Sequence, residues 1–381
     1  MKILIVGAGI SGLSLARRLD DSTHEYTLIE RTPTWSCDGA GICLPANAVA
    51  GLDKLGLKQK LLQSAHQVKA VSYVKPNGKI ISSASLLEEP FNQQPFLALP
   101  RVKLLELLRQ GMETKVRFGV SVKQINQYDE IADVEFDNGD SELFDLVVAA
   151  DGINSQTRHM SFENPELEDL GVTNWRFLIE QDTQGLDPTY YLGSDNLFMR
   201  YPMPDNKVYC YAHILDETGK FESIKDKKAW LRRRFSGFDS KVVSAIECLE
   251  ADTPVIQGRL KSVTCRDVYS GKVVLIGDAL HGCPPTLQQG VGMGLEDAHC
   301  LADLLKTHKT TKTLLPAFKA QRLAQISWVI DESNRVIRLA GKGRTFIGRI
   351  MRNMVLRKTG PANVNGWRKL LLWDKDKAET P

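Results

Sequence analysis

Apolar and polar positions divide this chain into two kinds of segment. Uninterrupted apolar runs stand at residues 3–6, behind Lys2 in a strand 2–6, and at 146–150 and 273–276, and each is short enough to be a buried strand. Each run gives way at once to glycine or an acid: Gly7-Ala8-Gly9-Ile10-Ser11-Gly12, Asp151-Gly152 and Gly277-Asp278. Helical spacing follows the first to about residue 19, and residues 26–30 form a second strand, which together make a βαβ unit. Further helices are predicted over 46–55 behind Pro45, from Pro100-Arg101 with Leu104, Leu105 and Leu108 on one face, over 295–305, and over 315–338. Two hairpins are predicted, 67–74 with 79–83 around Pro76-Asn77-Gly78, and 131–136 with 141–150 around Asn138-Gly139.

Residues 165–265 are different: strand-like stretches alternate with turns and no βα repeat is visible, which predicts an antiparallel sheet. Its clearest strand, 207–214, puts Tyr209, Tyr211 and His213 on one face and Val208, Cys210 and Ala212 on the other. The first face suits a flat, ring-binding pocket and equally a packed sheet face. Arg176, Arg200 and Tyr201 are further pocket candidates, and Arg232-Arg233-Arg234 reads as an exposed helix face.

The 381 residues suggest two domains with ordinary soluble composition, and a net charge of +3 gives no argument for nucleic acid. No apolar run is long enough to span a bilayer. The apolar start resembles a signal peptide, but Gly7, Gly9 and Gly12 interrupt it and no cleavage site follows. The seven cysteines (Cys37, Cys43, Cys210, Cys248, Cys265, Cys283 and Cys300) are odd in number and irregularly spaced, which predicts free thiols in a reducing cytoplasm and no metal site. Residues 335–369 carry ten Lys or Arg and no acid, with Trp367 and Trp373 nearby. A membrane-surface or partner-binding helix is one reading of that segment; the preferred one is a solvated face packed on the nucleotide-binding domain.

The spacing Gly7-x-Gly9-x-x-Gly12 at a strand-to-helix turn is a dinucleotide fingerprint. Gly7 permits the tight turn, Gly9 the approach of a pyrophosphate, and Gly12 close helix–strand packing; Glu30 ends the second strand where a ribose-binding acid is expected. Only one such fingerprint occurs. Gly290, Gly292 and Gly294 are not a second copy, because Pro284-Pro285 and a loop part them from their strand. Their approach to a helix N-terminus suits an electron-rich group, and Asp278 beside them suits sugar-like hydroxyls.

Three segments in order, VGAGISG, DLVVAADGINSQTR and GKVVLIGDALHGCPPTLQQGVGMGLEDA, resemble the class A FAD-dependent monooxygenases, the para-hydroxybenzoate hydroxylase-like aromatic hydroxylases. The resemblance implies an α/β fold: a discontinuous Rossmann-like FAD-binding domain (1–66, 100–164, 266–330), an inserted antiparallel β-sheet substrate domain (67–99, 165–265) and C-terminal helices (331–381). It implies FAD contacts from Gly7, Gly9, Ile10, Ser11, Gly12, Glu30, Arg31, Gly41, Ile42, Arg101, Asp151, Gly152, Gly277, Asp278, Pro285, Gly290, Val291 and Gly292. NADPH or NADH would bind transiently and reduce the flavin. A C4a-hydroperoxyflavin would then pass oxygen from O2 to a small aromatic or heteroaromatic ring. His213, Tyr211 or Tyr209 is the candidate base. A monomer or homodimer without stable membrane insertion is expected.

Two positions depart from the family pattern: Gln288 replaces a usual glycine and Leu280 a usual alanine. Asn174-Trp175-Arg176 does not complete the W-x-W-x-I-P pattern of flavin halogenases. Competing readings are an FAD oxidoreductase without oxygen insertion (a reductase or dehydrogenase) and a flavin-binding regulatory protein without turnover.

Overall fold

The computed structural model describes residues 1–20, 22–35, 39–112 and 115–373; Cys37 lies outside the described residues. The three apolar runs become the centre of a six-stranded sheet, in the order Tyr269–Ser270, Val273–Leu275, Leu146–Ala149, Lys2–Val6, Glu25–Glu30, Val116–Phe118. The last five are mutually parallel. Leu146–Ala149 and Val273–Leu275 are buried at every residue, as a sheet covered on both sides requires. Helix Ile10–Leu19 packs on helix Gly290–Thr307, so the chain's beginning and its last glycine-rich segment share one core.

One expected hairpin is shorter than predicted. Residues Ala132–Phe136 pair with Ser141–Phe144, but the chain then leaves that small sheet at Asp145, whose N–H bonds Lys2 O at 2.9 Å. The run Leu146–Ala149 is apolar on both faces and is satisfied only inside the parallel sheet.

The second sheet has seven strands, in the order Ile256–Val263, Leu167–Glu180, Lys207–Leu215, Asn196–Met203, Thr189–Leu192, Ala70–Val74, Ile80–Ser85. All neighbours are antiparallel except Thr189–Leu192 with Ala70–Val74. The expected strand 67–74 is split: His66–Val68 joins Phe96–Pro100 and Gly41–Leu44 in a three-stranded sheet, and only Ala70–Val74 enters the large one. Helices Lys227–Arg234 and Ser240–Glu247 cover one face of the large sheet, with Val208, Cys210 and Ala212 beneath them. Tyr209 and Tyr211 belong to the core on the other face, so both faces of Lys207–Leu215 are packed.

Four helices end the chain: Gly290–Thr307, Thr311–Gly341, Phe346–Thr359 and Ala362–Leu371. The second begins earlier and ends later than its apolar stripe predicted, with Pro316 inside it. The preferred reading of the basic segment holds for its last helix, Ala362–Leu371, which packs on Ala46–Asp53 and on the turn Pro285–Leu287. It fails for helix Phe346–Thr359, which packs on strand Ile80–Ser85 of the seven-stranded sheet and turns its large apolar side chains outward, all but the buried Leu356. No helix among the described residues is long and apolar enough to cross a membrane.

Candidate active site

The parallel sheet brings the three glycine motifs to one edge. A Cβ at Gly7 would come within 2.6 Å of Ala150 O and 3.0 Å of Asp151 Cα. Gly277, at φ +60°, leaves room for Ser11, whose Oγ would lie 2.1 Å from a Cβ there and 2.3 Å from one on Gly294. Residues some 270 positions apart therefore meet because Gly277 and Gly294 carry no side chain where Ser11 sits.

Two helices point uncapped N-termini into this edge. Neither Gly9, before Ile10–Leu19, nor Gln289, before Gly290–Thr307, supplies a side-chain cap. A Cβ at Gly9 or Gly152 would meet nothing within 4 Å, so the chain is open there. Uncapped N–H groups beside open glycines fit the pyrophosphate and the electron-rich ring edge of FAD. Glu30 ends its strand over the first loop: Ala8 N–H donates to Oε2 at 3.0 Å, and Thr32 N–H to Oε1 at 3.0 Å. Arg31 follows, exposed. Asp278 is exposed at the head of the turn Asp278–His281, with Oδ1 3.5 Å from where a Gly290 Cβ would be.

The other expected contacts are less uniform. Arg101 opens helix Arg101–Arg109, its N–H bonding Ala40 O at 2.9 Å and its stem passing beneath Gly39. Gly41 and Ile42 lie in the strand Gly41–Leu44; a Cβ at Gly41 would stand 2.5 Å from Cγ of Tyr209. Pro285 opens a single turn, Pro285–Leu287, and Val291 is buried in the next helix. The Asp151 carboxylate is taken up locally: it accepts from Ser155 Oγ at 2.5 Å and from Thr157 N–H at 3.0 Å. Arg158 of the same motif is fully buried and donates to Ala279 O (2.7 Å), Ile153 O (2.7 Å) and Pro165 O (3.0 Å). It fastens two motifs together and has no free edge toward a ligand.

Strand register decides what roofs the site. Cross-strand partners share a face, so Tyr73, Tyr190, Met199, Tyr211 and Arg176 form one row across five strands, beside a second row of Tyr201, Tyr209 and Leu178. Tyr209 contacts Gly41, which turns this face toward the glycine loops. Arg200 alternates to the opposite face, where it donates to Gln181 Oε1 at 2.8 Å, so Tyr201 joins the site and Arg200 does not. Arg176 keeps a buried Nε without a partner among the described residues.

Burial weakens the candidate bases. It lowers the His213 imidazole to about 4, leaving it neutral at pH 7 with Nδ1 3.1 Å from Tyr211 Oη. Burial likewise raises the phenols of Tyr209 and Tyr211. All three face residues are buried and uncharged at neutral pH.

Several contacts of the site were not anticipated from sequence, including those of Gln288, which the sequence marked as a departure from the family pattern. Gln288, in the left-handed conformation at φ +54°, donates from Nε2 to Tyr190 Oη at 3.0 Å and accepts from Tyr201 Oη at 3.4 Å. Asn363 reaches the same Tyr190 oxygen at 3.3 Å, and Trp367 Nε1 donates to Leu287 O at 2.7 Å, so the last helix clamps the loop. Asn47 Nδ2 donates to Gln289 Oε1 and Glu296 Oε1, each at 2.9 Å. Fully buried Asp297 accepts from Gly277 N–H (3.0 Å), His281 Nε2 (2.8 Å) and Arg322 Nε (2.8 Å). Burial pushes its carboxyl up, but Arg322 and His281 outweigh this and hold it at about 2. Asp297 left a signal, an acid in line with Met293 and Leu301 on an apolar helix face; Tyr190 and Asn363 left none.

A parallel sheet with open glycine loops, two uncapped helix ends and an aromatic sheet above them defines a dinucleotide-dependent oxidoreductase of the flavin type. Residues 1–333 match the FAD binding domain family. The chain is 30% identical over 344 residues to the 2-heptyl-3-hydroxy-4(1H)-quinolone synthase of Pseudomonas aeruginosa, covering 89% of each. It is 27% identical over 341 residues to an FAD-dependent urate hydroxylase of Klebsiella oxytoca, covering 86% of this chain and 87% of that one. Klebsiella pneumoniae HpxO, solved with FAD and uric acid, has the same fold, with a TM-score of 0.89 at 24% identity over 98% of this chain and 97% of that one. The chain belongs to the FAD-dependent monooxygenases of the para-hydroxybenzoate hydroxylase-like family.

Proposed function

We propose that this FAD-dependent monooxygenase takes electrons from NADH or NADPH and hydroxylates a small bicyclic heteroaromatic ring held under the tyrosine rows. The balance is one ring C–H, O2, NAD(P)H and a proton consumed, with one ring C–O–H, water and NAD(P)+ formed. The observation that carries this reading is the tyrosine face, Tyr73, Tyr190, Tyr201, Tyr209 and Tyr211, lying opposite the converged glycine loops. The relatives' names, a quinolone synthase and a urate hydroxylase, support a bicyclic nitrogen heterocycle.

When bound, FAD supplies the redox chemistry and the activation of oxygen. The chain's own residues have the other tasks. In this reading the N–H groups of Gly9, Ile10, Ser11 and Gly12 take the pyrophosphate, with Arg101 beside it, and Glu30 takes a ribose hydroxyl. Asp151–Gly152 and Gly277 shape the floor, and Asp278 accepts from the ribityl chain. The helix end at Gly290, Val291 and Gly292 faces the electron-rich ring edge, where its dipole favours negative charge. Tyr209, Tyr211 and His213 position the substrate as neutral donors and acceptors.

The nucleotide-binding segments 1–66, 100–164 and 266–330, with the sheet segments 67–99 and 165–265 above, are the domain division this requires. The six described cysteines are free, which fits a reducing cytoplasm. The test is turnover of quinolone and purine ligands under 18O2, with anaerobic flavin reduction by NADH and NADPH measured alongside. Label in the product and ligand-accelerated reduction support the reading. Label only in water or peroxide would reject oxygen insertion.

A further inference from the structure

Helix Phe346–Thr359 leaves most of its apolar side chains outside. Its inward face, against the seven-stranded sheet, presents Leu356 and Arg352, both buried, and Arg352 donates from Nη1 to Gly193 O at 3.0 Å. Its outward face carries Phe346, Ile350 and Met354 in one i, i+4 row and Ile347, Met351 and Val355 in the next, each 45 to 70% exposed. Six large apolar side chains on one exposed stripe are not the surface of a helix that faces only water.

The charge around the stripe selects what covers it. Exposed Lys342 precedes it, exposed Arg357 and Lys358 close the same face at its C-terminal end, and none of these three has an acidic partner among the described residues. Residues 335–369 contain no acid at all. A second copy meeting this face about a twofold axis would set those cations against their own kind. Residues 374–381, DKDKAETP, carry no large apolar side chain. An apolar stripe with cations at both ends is complementary to a bilayer surface of anionic lipid, where the apolar side chains enter the acyl boundary and the cations remain among the headgroups.

We propose that helix Phe346–Thr359 docks this protein, reversibly and without spanning, on anionic membrane surfaces. The helix leads through Gly360 and Pro361 into Ala362–Leu371, whose Asn363 and Trp367 hold the loop of the candidate active site, so docking sets the site next to the lipid. The proposal goes beyond the oxygen-insertion reading and stands without it.

The experiment is flotation of the full-length, FAD-loaded protein with vesicles of phosphatidylcholine alone or mixed with phosphatidylglycerol. The expected result is flotation with the mixed vesicles, weakened by salt, and little with the neutral ones. Met351→Glu with Met354→Glu is expected to weaken binding by about tenfold or more, and Arg357→Gln with Lys358→Gln by about tenfold. All four changes lie on exposed positions, so flavin absorbance and melting temperature report an intact fold in the same samples. Absence of flotation with mixed vesicles, or equal flotation of the glutamate variant, overturns the proposal. A concentration-dependent dimer in sedimentation that Met351→Glu with Met354→Glu disperses assigns the face to a second copy and overturns it too.

Discussion

Gln288 and Tyr190 join the two halves of the site: the amide Nε2 of a loop residue donates to the phenol oxygen of a sheet residue at 3.0 Å. The same amide's oxygen accepts from Tyr201 at 3.4 Å, so one side chain ties the loop after Pro285 to two strands. A glycine here would make neither bond.

That tie is costly in backbone terms, because a non-glycine residue at φ +54° loses about 1 kcal/mol. Two hydrogen bonds return about 1 kcal/mol each. Gln288→Gly is therefore expected to change global stability by no more than about 1 kcal/mol. It frees the loop, and ligand-independent flavin reduction is expected to rise several-fold. Stopped-flow reduction with and without aromatic ligand checks this; unchanged gating in a stably folded variant would remove Gln288 from control of the loop.

Gly277→Ala places a Cβ 2.1 Å from Ser11 Oγ at φ +60°, so either the first helix or the Gly277-Asp278 turn must shift. The left-handed backbone alone costs about 1–2 kcal/mol. FAD affinity is expected to fall by at least about tenfold, read by flavin fluorescence titration of the apoprotein. Retention of normal affinity would separate this contact from the cofactor site.

Asp297 sets an acid limit. Its folded carboxyl titrates at about 2, below the ordinary value near 4 of an unfolded chain, so the folded state holds its proton less tightly. The resulting stabilisation is complete above about pH 4 and is lost as pH falls toward about 2. Asp297→Asn leaves Arg322 buried without its full charge partner and is expected to cost about 3–5 kcal/mol at pH 7. It should also flatten the acid limb of a denaturant-derived stability profile. An unaltered acid limb in the variant would assign acid loss to other carboxylates.

His213 behaves in the opposite chemical sense but with the same pH direction. Its folded value of about 4 lies below the unfolded value near 6.5, so the neutral ring stabilises the fold above about pH 6.5 and that share fades as pH falls toward about 4. A pH profile of kcat/KM is expected to show no inflection near 6.5 that His213→Gln removes. Disappearance of such an inflection in the variant would assign the base to His213.

The local sequence determined the parts whose physics is local. Val273–Leu275 and Ile3–Val6 are buried because their runs have no polar side, and Gly7, Gly9 and Gly12 mark a phosphate turn because that spacing lets a pyrophosphate approach open helix N–H groups. Three such motifs in order were enough to name the cofactor. Tertiary structure alone decided the rest. Whether Tyr211 faces a ligand or core depends on its register with Met199 and Arg176, which no single strand encodes. The protonation of His213 and Asp297 follows from burial and from Arg322, 25 positions beyond Asp297. The outward stripe of Phe346–Thr359 was periodic in sequence, but periodicity gives a helix two faces without saying which one the protein covers.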